Sequence, residues 1–368
     1  MSREKLQKAC KYIRKKCAER LHHKINFVYL QRNMKYVSLP GEELCGSEKT
    51  HAERGASFYL AAEEYVARRM CDADDCFMMW QVDKSVVCGR NQLIETEVNL
   101  DYCRAHDIKV YRRKSGGGCI YADLGNVMLS YITSQQQVNL AYNNYVNLIE
   151  FALLRMGIKA RATGRNDILV DEKKVSGTAF YGVAGRSIIH GTLLYDTNLQ
   201  HISAAITPPK QKLQSKGVAS VRQHITLLKD HTDLSFRDIR RQMRQILCRD
   251  ELPLTDADVV AIRELERSYQ SPDFLWGKNP SCTATASQRF EGVGTVEAHI
   301  DLRQNVIRRV TLKGDFFALD DVDERLCQPL RGVKAEPEAI RKALPDNTQD
   351  IIRGLQKDDL VSLLSVRQ

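Results

Sequence analysis

Arg112-Arg113-Lys114-Ser115-Gly116-Gly117-Gly118-Cys119-Ile120-Tyr121-Ala122-Asp123, followed by Gly125-Asn126, lies between the apolar segments Ile108–Tyr111 and Val127–Ile132. Three adjacent glycines weaken any strand or helix that contains them, because an unbranched backbone loses the most entropy on ordering. Their use is to let backbone N–H groups come close to a ligand and to adopt turns closed to other residues. With cationic side chains alongside they form an anion cradle. The stretch lacks the Lys-Ser/Thr ending of a P-loop and the spacing of a dinucleotide fingerprint. It predicts a site for a nucleotide or an acyl phosphate.

The pattern around the cradle alternates between strand and helix. A first strand is expected at 35–39, an apolar helical stripe at 55–71 with Glu63, Glu64 and Arg68 outside, and a hairpin from 76–81 and 84–89. Helical periodicity follows at 95–105, then β-like runs at 108–112 and 127–133 and a long helix at 138–156. Strands are expected at 168–170, 174–179 and 187–195, and helices at 235–249 and 255–269. The character changes near Ser271-Pro272. Beyond it, 282–290, 293–301 and 305–313 read as a three-stranded meander, followed by helices at 320–330, 336–344 and 348–365. The division is therefore a basic extension at 1–33, a catalytic domain at 34–270 and a small accessory domain at 271–368.

The 368 residues carry a net charge of +9, which suggests nucleic acid until it is localised. Residues 1–33 hold ten Lys and Arg against Glu4 and Glu19. The rest is nearly neutral, so no broad nucleic-acid-binding face is expected. Residues 1–24 read as a basic amphipathic helix of a loosely attached extension, and Met34 is a candidate start. No apolar run reaches the length of a membrane span. The eleven cysteines show no Cys-x-x-Cys spacing, which points to reduced thiols and a cytoplasmic protein.

Three further clusters carry chemistry. In Gly164-Arg165-Asn166-Asp167, then Lys174-Val175-Ser176-Gly177-Thr178-Ala179, a short hairpin would bring Asp167 and Lys174 together beside a small-residue strand. His190-Gly191-Thr192-Leu193-Leu194 offers a structural or substrate-positioning histidine, not a general base. Lys212–Arg222 reads as a mobile basic loop, and Trp276-Gly277-Lys278 as a packing corner between domains.

Taken in this order, these clusters resemble the lipoate–protein ligases, within the wider family of lipoate ligases, biotin ligases and octanoyltransferases. The resemblance covers nearly everything from Met34 onward. It implies an α+β fold, class II synthetase/biotin ligase-like, with a mixed, largely antiparallel sheet flanked by helices and a small C-terminal α+β accessory domain. It also implies lipoate (or octanoate) and Mg-ATP as substrates, giving an acyl-adenylate. The acyl group then passes to a lysine of apo lipoyl domains of 2-oxoacid dehydrogenase complexes or of the glycine-cleavage H protein. Lys174 matches the family's central lysine, and Asp167 would orient it or help hold Mg2+. Arg113, Ser115, Gly116, Gly117, Gly118, Cys119, Ile120, Tyr121, Asn126 and His190 match its nucleotide-binding positions. The 212–222 loop would be a lid that keeps water from the adenylate.

The chain departs from the family pattern at Lys114, Ala122 and Ile189. A cysteine-dependent, ATP-independent octanoyl or lipoyl transferase is the main alternative. It needs a nucleophile shortly before the Lys174 strand, and no cysteine lies between Cys119 and Cys248. A non-catalytic nucleotide-binding protein is the other alternative, and the joint presence of Arg113, Asp167 and Lys174 opposes it.

Overall fold

The computed structural model describes residues 34–41, 54–69, 74–163, 167–206, 224–276 and 282–365. The basic extension, the 212–222 loop and the Gly164-Arg165-Asn166 turn lie outside them.

The chain enters through β1 (Met34–Ser38), and α1 (Ala56–Arg69) then leads to β2 (Asp75–Trp80) and β3 (Ser85–Cys88). After α2 (Ile94–Glu97) and α3 (Leu100–Ala105) come β4 (Lys109–Arg112), β5 (Ile120–Ala122) and β6 (Asn126–Thr133). The long helix α4 (Val138–Arg155) precedes β7 (Ala160–Ala162), β8 (Asp167–Val170), β9 (Lys173–Val183) and β10 (Arg186–Leu194). Next are α5 (Leu199–Ala205), α6 (Phe236–Leu247), β11 (Asp250–Pro253), α7 (Asp256–Gln270) and α8 (Pro272–Leu275).

Eight of these strands form one sheet in the order β11-β1-β2-β6-β10-β9-β8-β7. The two pairings of β1 are parallel and the others antiparallel. Strand alternation explains why both faces are covered. On β2, Phe77 and Met79 pack beneath α4 and α6, while Cys76, Met78 and Trp80 face α1 and α7. On β6, Val127, Leu129 and Tyr131 take the first side, and Met128 and Ile132 the second. A period of two with apolar residues at every position is the signature of a strand buried on both faces. Ala56, Ala61, Ala62 and Ala67 let α1 lie close on the sheet, with Tyr59 stacked on Trp80 at 4.9 Å.

The expected hairpin at 76–89 does not form. β2 belongs to the large sheet, whereas β3 is the middle of a second sheet ordered β4-β3-β5. Gln81 supplies the reason: its side chain donates to Leu124 O and accepts from Arg240, which anchors the connection elsewhere. β11 was not anticipated, because Asp-Glu-Leu-Pro is polar and ends in proline. Such a strand is tolerated at a sheet edge, where it pairs parallel to β1.

The C-terminal part is a meander of β12 (Ala284–Phe290), β13 (Gly294–Arg303) and β14 (Val306–Gly314), with its own core around Val296, Ile300 and Val310. α9 (Pro337–Ala343) and α10 (Lys357–Leu364) cover it. The single helix expected at 348–365 is instead a 3-10 turn at 348–350, a left-handed Gly354 (φ +80°) and α10. The segment expected as a helix at 320–330 is a π turn running into a 3-10 turn.

Cys76 is disulfide-bonded, so the reading of all cysteines as reduced thiols does not hold. Cys88, Cys103, Cys119, Cys248, Cys282 and Cys327 are free. Among the described residues no helix is long and apolar enough to cross a membrane.

Candidate active site

β8 and β9 are joined by Asp171 and Glu172, both left-handed (φ +48° and +60°), a tight hairpin turn. A register shift after Ile168 puts Asp167 opposite Gly177 and Lys174 opposite Leu169. The lysine therefore reaches Asp167 by lying along the strand. A Cβ on Gly177 would stand 3.0 Å from Lys174 Nζ, so the glycine supplies the room. The resulting ion pair is 2.8 Å long, with both side chains about one-third exposed.

That pair faces a cavity of about 850 Å3. Leu60, Trp80, Val87, Ile120 and Met128 form an apolar part of its wall. Gly177, Thr178 and Ala179 of β9 line it, and so do Gly117, Gly118, Cys119, Arg113 and His190. Ser115, Gly116, Tyr121 and Asn126 do not line it.

Arg113 organises the glycine turn from within. It is buried, and its guanidinium donates to the carbonyls of Val87, Gly116 and Gly118 at 2.7–2.8 Å. Burial pushes its pKa down. Its Nε is buried with no partner among the described residues. A Cβ on Gly89 would lie 1.9 Å from Gly117 O, so that glycine lets the end of β3 meet the cradle.

Ser115 is tied to a buried polar chain. The Glu63 carboxylate accepts from His190 Nδ1 at 2.8 Å, and Nε2 on the other side of the ring is hydrogen-bonded to the Ser115 hydroxyl at 2.7 Å. Ser130 donates to the other Glu63 oxygen, and Trp80 Nε1 donates to Ser130. Neither Glu63 nor Glu64 lies outside α1 as expected; both are buried. Glu64 accepts from Lys114 at 2.6 Å, Tyr269 at 2.7 Å and Arg68 at 2.9 Å. Burial raises the Glu64 pKa, but these donors outweigh it and hold the group below its ordinary value. The signal for buried carboxylates was available, since α1 carries Ala and Ser where a solvated face needs charge.

Residues from beyond position 280 were missed altogether. Arg289, Glu291, Asp315, Phe317 and Arg353 reach the same cavity. Gly117 N donates to Phe316 O at 3.2 Å, Phe317 stacks on Phe180, and Gly314 N donates to Asn91 O. A Cβ on Gly116 would meet Phe316 O at 2.5 Å. The glycine run thus accommodates the close approach of the C-terminal part.

The Cys119 thiol is pushed well up by its hydrogen bond to Cys88 and by burial. It is a neutral wall residue, unlike the activated thiol of a cysteine transferase. No group of three or more His, Cys, Asp or Glu suited to a metal occurs among the described residues. A Mg2+ carried in on phosphates would find carboxylate oxygens in the cavity wall, Asp167 among them.

A family model described as the lipoyl protein ligase A/B catalytic domain matches residues 56–247, and one described as the bacterial lipoate protein ligase C-terminus matches 279–364. The lipoate-protein ligase LplJ of Bacillus subtilis is 31% identical over 320 residues, covering 83% of this chain and 95% of that protein. Lipoate–protein ligase 1 of Staphylococcus aureus is 31% identical over 315 residues with the same coverage. Among solved structures, P. falciparum LipL1 in complex with lipoate aligns at a TM-score of 0.67 with 18% identity, over 91% of this chain and 98% of that one. A lipoate-protein ligase A bound with ATP aligns at 0.55 with 22% identity, over 67% and 98%. These two share the fold. The matched segments and the two bacterial relatives make this chain a member of the lipoate–protein ligase family.

Proposed function

We propose that this chain is an ATP-dependent lipoate–protein ligase in which Lys174, held by Asp167, is the central cation. The observation that carries the reading is one cavity uniting an apolar wall, a glycine cradle and the Lys174–Asp167 pair. In the first step a carboxylate oxygen of lipoate attacks the α-phosphorus of ATP, and the bond to the leaving pyrophosphate breaks. Negative charge grows on the α-phosphoryl oxygens, where a fixed ammonium stabilises it. Asp167 holds Lys174 Nζ at that point. In the second step the ε-amine of an acceptor lysine attacks the acyl carbonyl, AMP leaves, and the amine loses its proton.

The apolar wall of Leu60, Trp80, Val87, Ile120 and Met128 suits the aliphatic acyl chain. Mg2+, when bound, supplies charge neutralisation on the phosphates. Residues 34–270 would perform the chemistry, with 271–368 as an accessory domain lending side chains to the cavity. Apo lipoyl domains of 2-oxoacid dehydrogenase complexes and the glycine-cleavage H protein are the acceptors this reading names. The six thiols free among the described residues favour a reducing compartment such as the cytoplasm, and the Cys76 disulfide opposes that reading.

Incubation with lipoate, Mg-ATP and an apo lipoyl domain tests the reading by intact mass of the acceptor. Addition of one lipoyl group, dependent on ATP, supports it. Acylation that proceeds only from an acylated carrier protein, without ATP, contradicts it.

A further inference from the structure

β3 and β5 pair antiparallel with Ser85 opposite Ala122, Val86 opposite Tyr121 and Val87 opposite Ile120. Cys88 and Cys119 are the next residues beyond the end of that ladder, so the same register carried one step further would set them opposite each other. Directly opposed residues share a face with Cβ atoms about 4.5–5.5 Å apart. The side chains have used that proximity: Cys119 Sγ lies 3.3 Å from Cys88 Sγ and 3.2 Å from Gln92 Oε1. Both thiols are free. Cys88 is fully buried at the end of β3, whereas Cys119 is half-buried and lines the cavity.

We propose that Cys88 and Cys119 form a thiol-modification site, which a low-molecular-weight disulfide oxidises to a cross-strand disulfide at the edge of the cradle. Burial assigns the roles. Cys119 is reachable from the cavity, although its hydrogen bond to Cys88 and its burial keep little of it ionised and the exchange slow. The fraction that gives up its proton attacks one sulfur of the reagent RSSR, whose other sulfur takes a proton and leaves as RSH, so that a mixed disulfide remains. Cys88, shielded from solvent, then attacks Cys119 Sγ and expels the second RSH. Two thiols are oxidised and one disulfide is reduced to two RSH, so atoms and electrons balance.

Closing the bond takes the sulfurs from 3.3 Å to about 2.05 Å and removes Cys119 from Gln92. Gln92 Oε1 also accepts from Gly89 N, and Gly118 O accepts from Arg113. The cross-link therefore shifts the cavity wall at Gly118–Cys119. The functional consequence rests on the ligase reading, since it is read as loss of lipoyl-adenylate formation.

The test treats the full chain with glutathione disulfide and maps its cysteines by peptide mass. The expected result is an 88–119 cross-link, a fall in lipoyl-adenylate formation of about ten-fold or more, and recovery with dithiothreitol. Cys88→Ala, which lacks the resolving thiol, should keep the reduced activity and stop at a glutathione adduct on Cys119, seen by peptide mass with no cross-link. Wild-type reversal by dithiothreitol still tests the proposal if that variant fails to fold. The proposal is overturned if other thiols react while 88 and 119 both map as free. It is equally overturned if the cross-link forms and adenylation is unchanged. A reduced chain that makes no lipoyl-adenylate refutes the ligase reading instead, and peptide mapping still decides whether the pair oxidises.

Discussion

Lys174 Nζ occupies the space that a side chain at Gly177 would fill, 3.0 Å from the position of the missing Cβ. The ammonium is therefore placed by two features, the Asp167 carboxylate on one side and an absent methyl on the other. Gly177→Ala should displace the flexible end of the lysine without disturbing the strand, because Gly177 is not left-handed. Adenylate formation should fall by about 10–100-fold, the usual cost of misplacing a reacting group by an ångström. The denaturation midpoint should be nearly unchanged. A variant with full activity would remove Gly177 from the positioning of Lys174.

The polar chain from Ser115 through His190 to Glu63 is buried throughout. His190→Ala removes the imidazole partner of the buried Glu63 carboxylate. Loss of about 1–3 kcal/mol of stability is expected, measured by urea unfolding. Replacing both Glu63 and His190 with apolar residues should cost less than the sum of the single changes, which a double-mutant cycle reads directly.

Glu64 gives the fold an acid limit. Its folded pKa lies below the ordinary 4.5 because Lys114, Tyr269 and Arg68 outweigh the opposing effect of burial. A depressed carboxylate contributes stability above its unfolded value and loses it as the pH falls through its folded value. The urea midpoint of Glu64→Gln should therefore lie below wild type at pH 7. The gap should narrow as the pH drops below 4.5. A constant gap from pH 7 to pH 3 would show that the carboxylate charge is not what binds α1 to Lys114.

Gly116 reports on the seam with the C-terminal part. A Cβ there would stand 2.5 Å from Phe316 O, a backbone atom that cannot swing aside. Gly116→Ala should lower stability by about 1–3 kcal/mol and raise protease sensitivity near residues 314–317. Unchanged protease sensitivity would mean that the seam tolerates the added methyl.

Much of the large sheet was legible because β2, β6 and β10 are apolar or small on both faces, and Asp167 and Lys174 stand at the two ends of a readable turn. What failed had physical reasons. Two apolar runs separated by two residues imitate a hairpin, whereas Gln81, bonded to Leu124 and Arg240, anchors the connection elsewhere. Glu63 looks like a solvated residue until His190 and Ser130 are known to meet it, and those contacts span 127 and 67 positions. Arg289 and Arg353 reach the cavity only through docking of the C-terminal part, which no local periodicity encodes.

ATP–pyrophosphate exchange, measured with lipoate, octanoate and biotin in parallel, tests most directly whether this site makes an acyl-adenylate. Exchange dependent on lipoate or octanoate, absent with biotin and abolished in a folded Lys174→Ala variant, is the expected result. Exchange that persists in Lys174→Ala, or no exchange with any of the three acids by an intact wild-type chain, would contradict it.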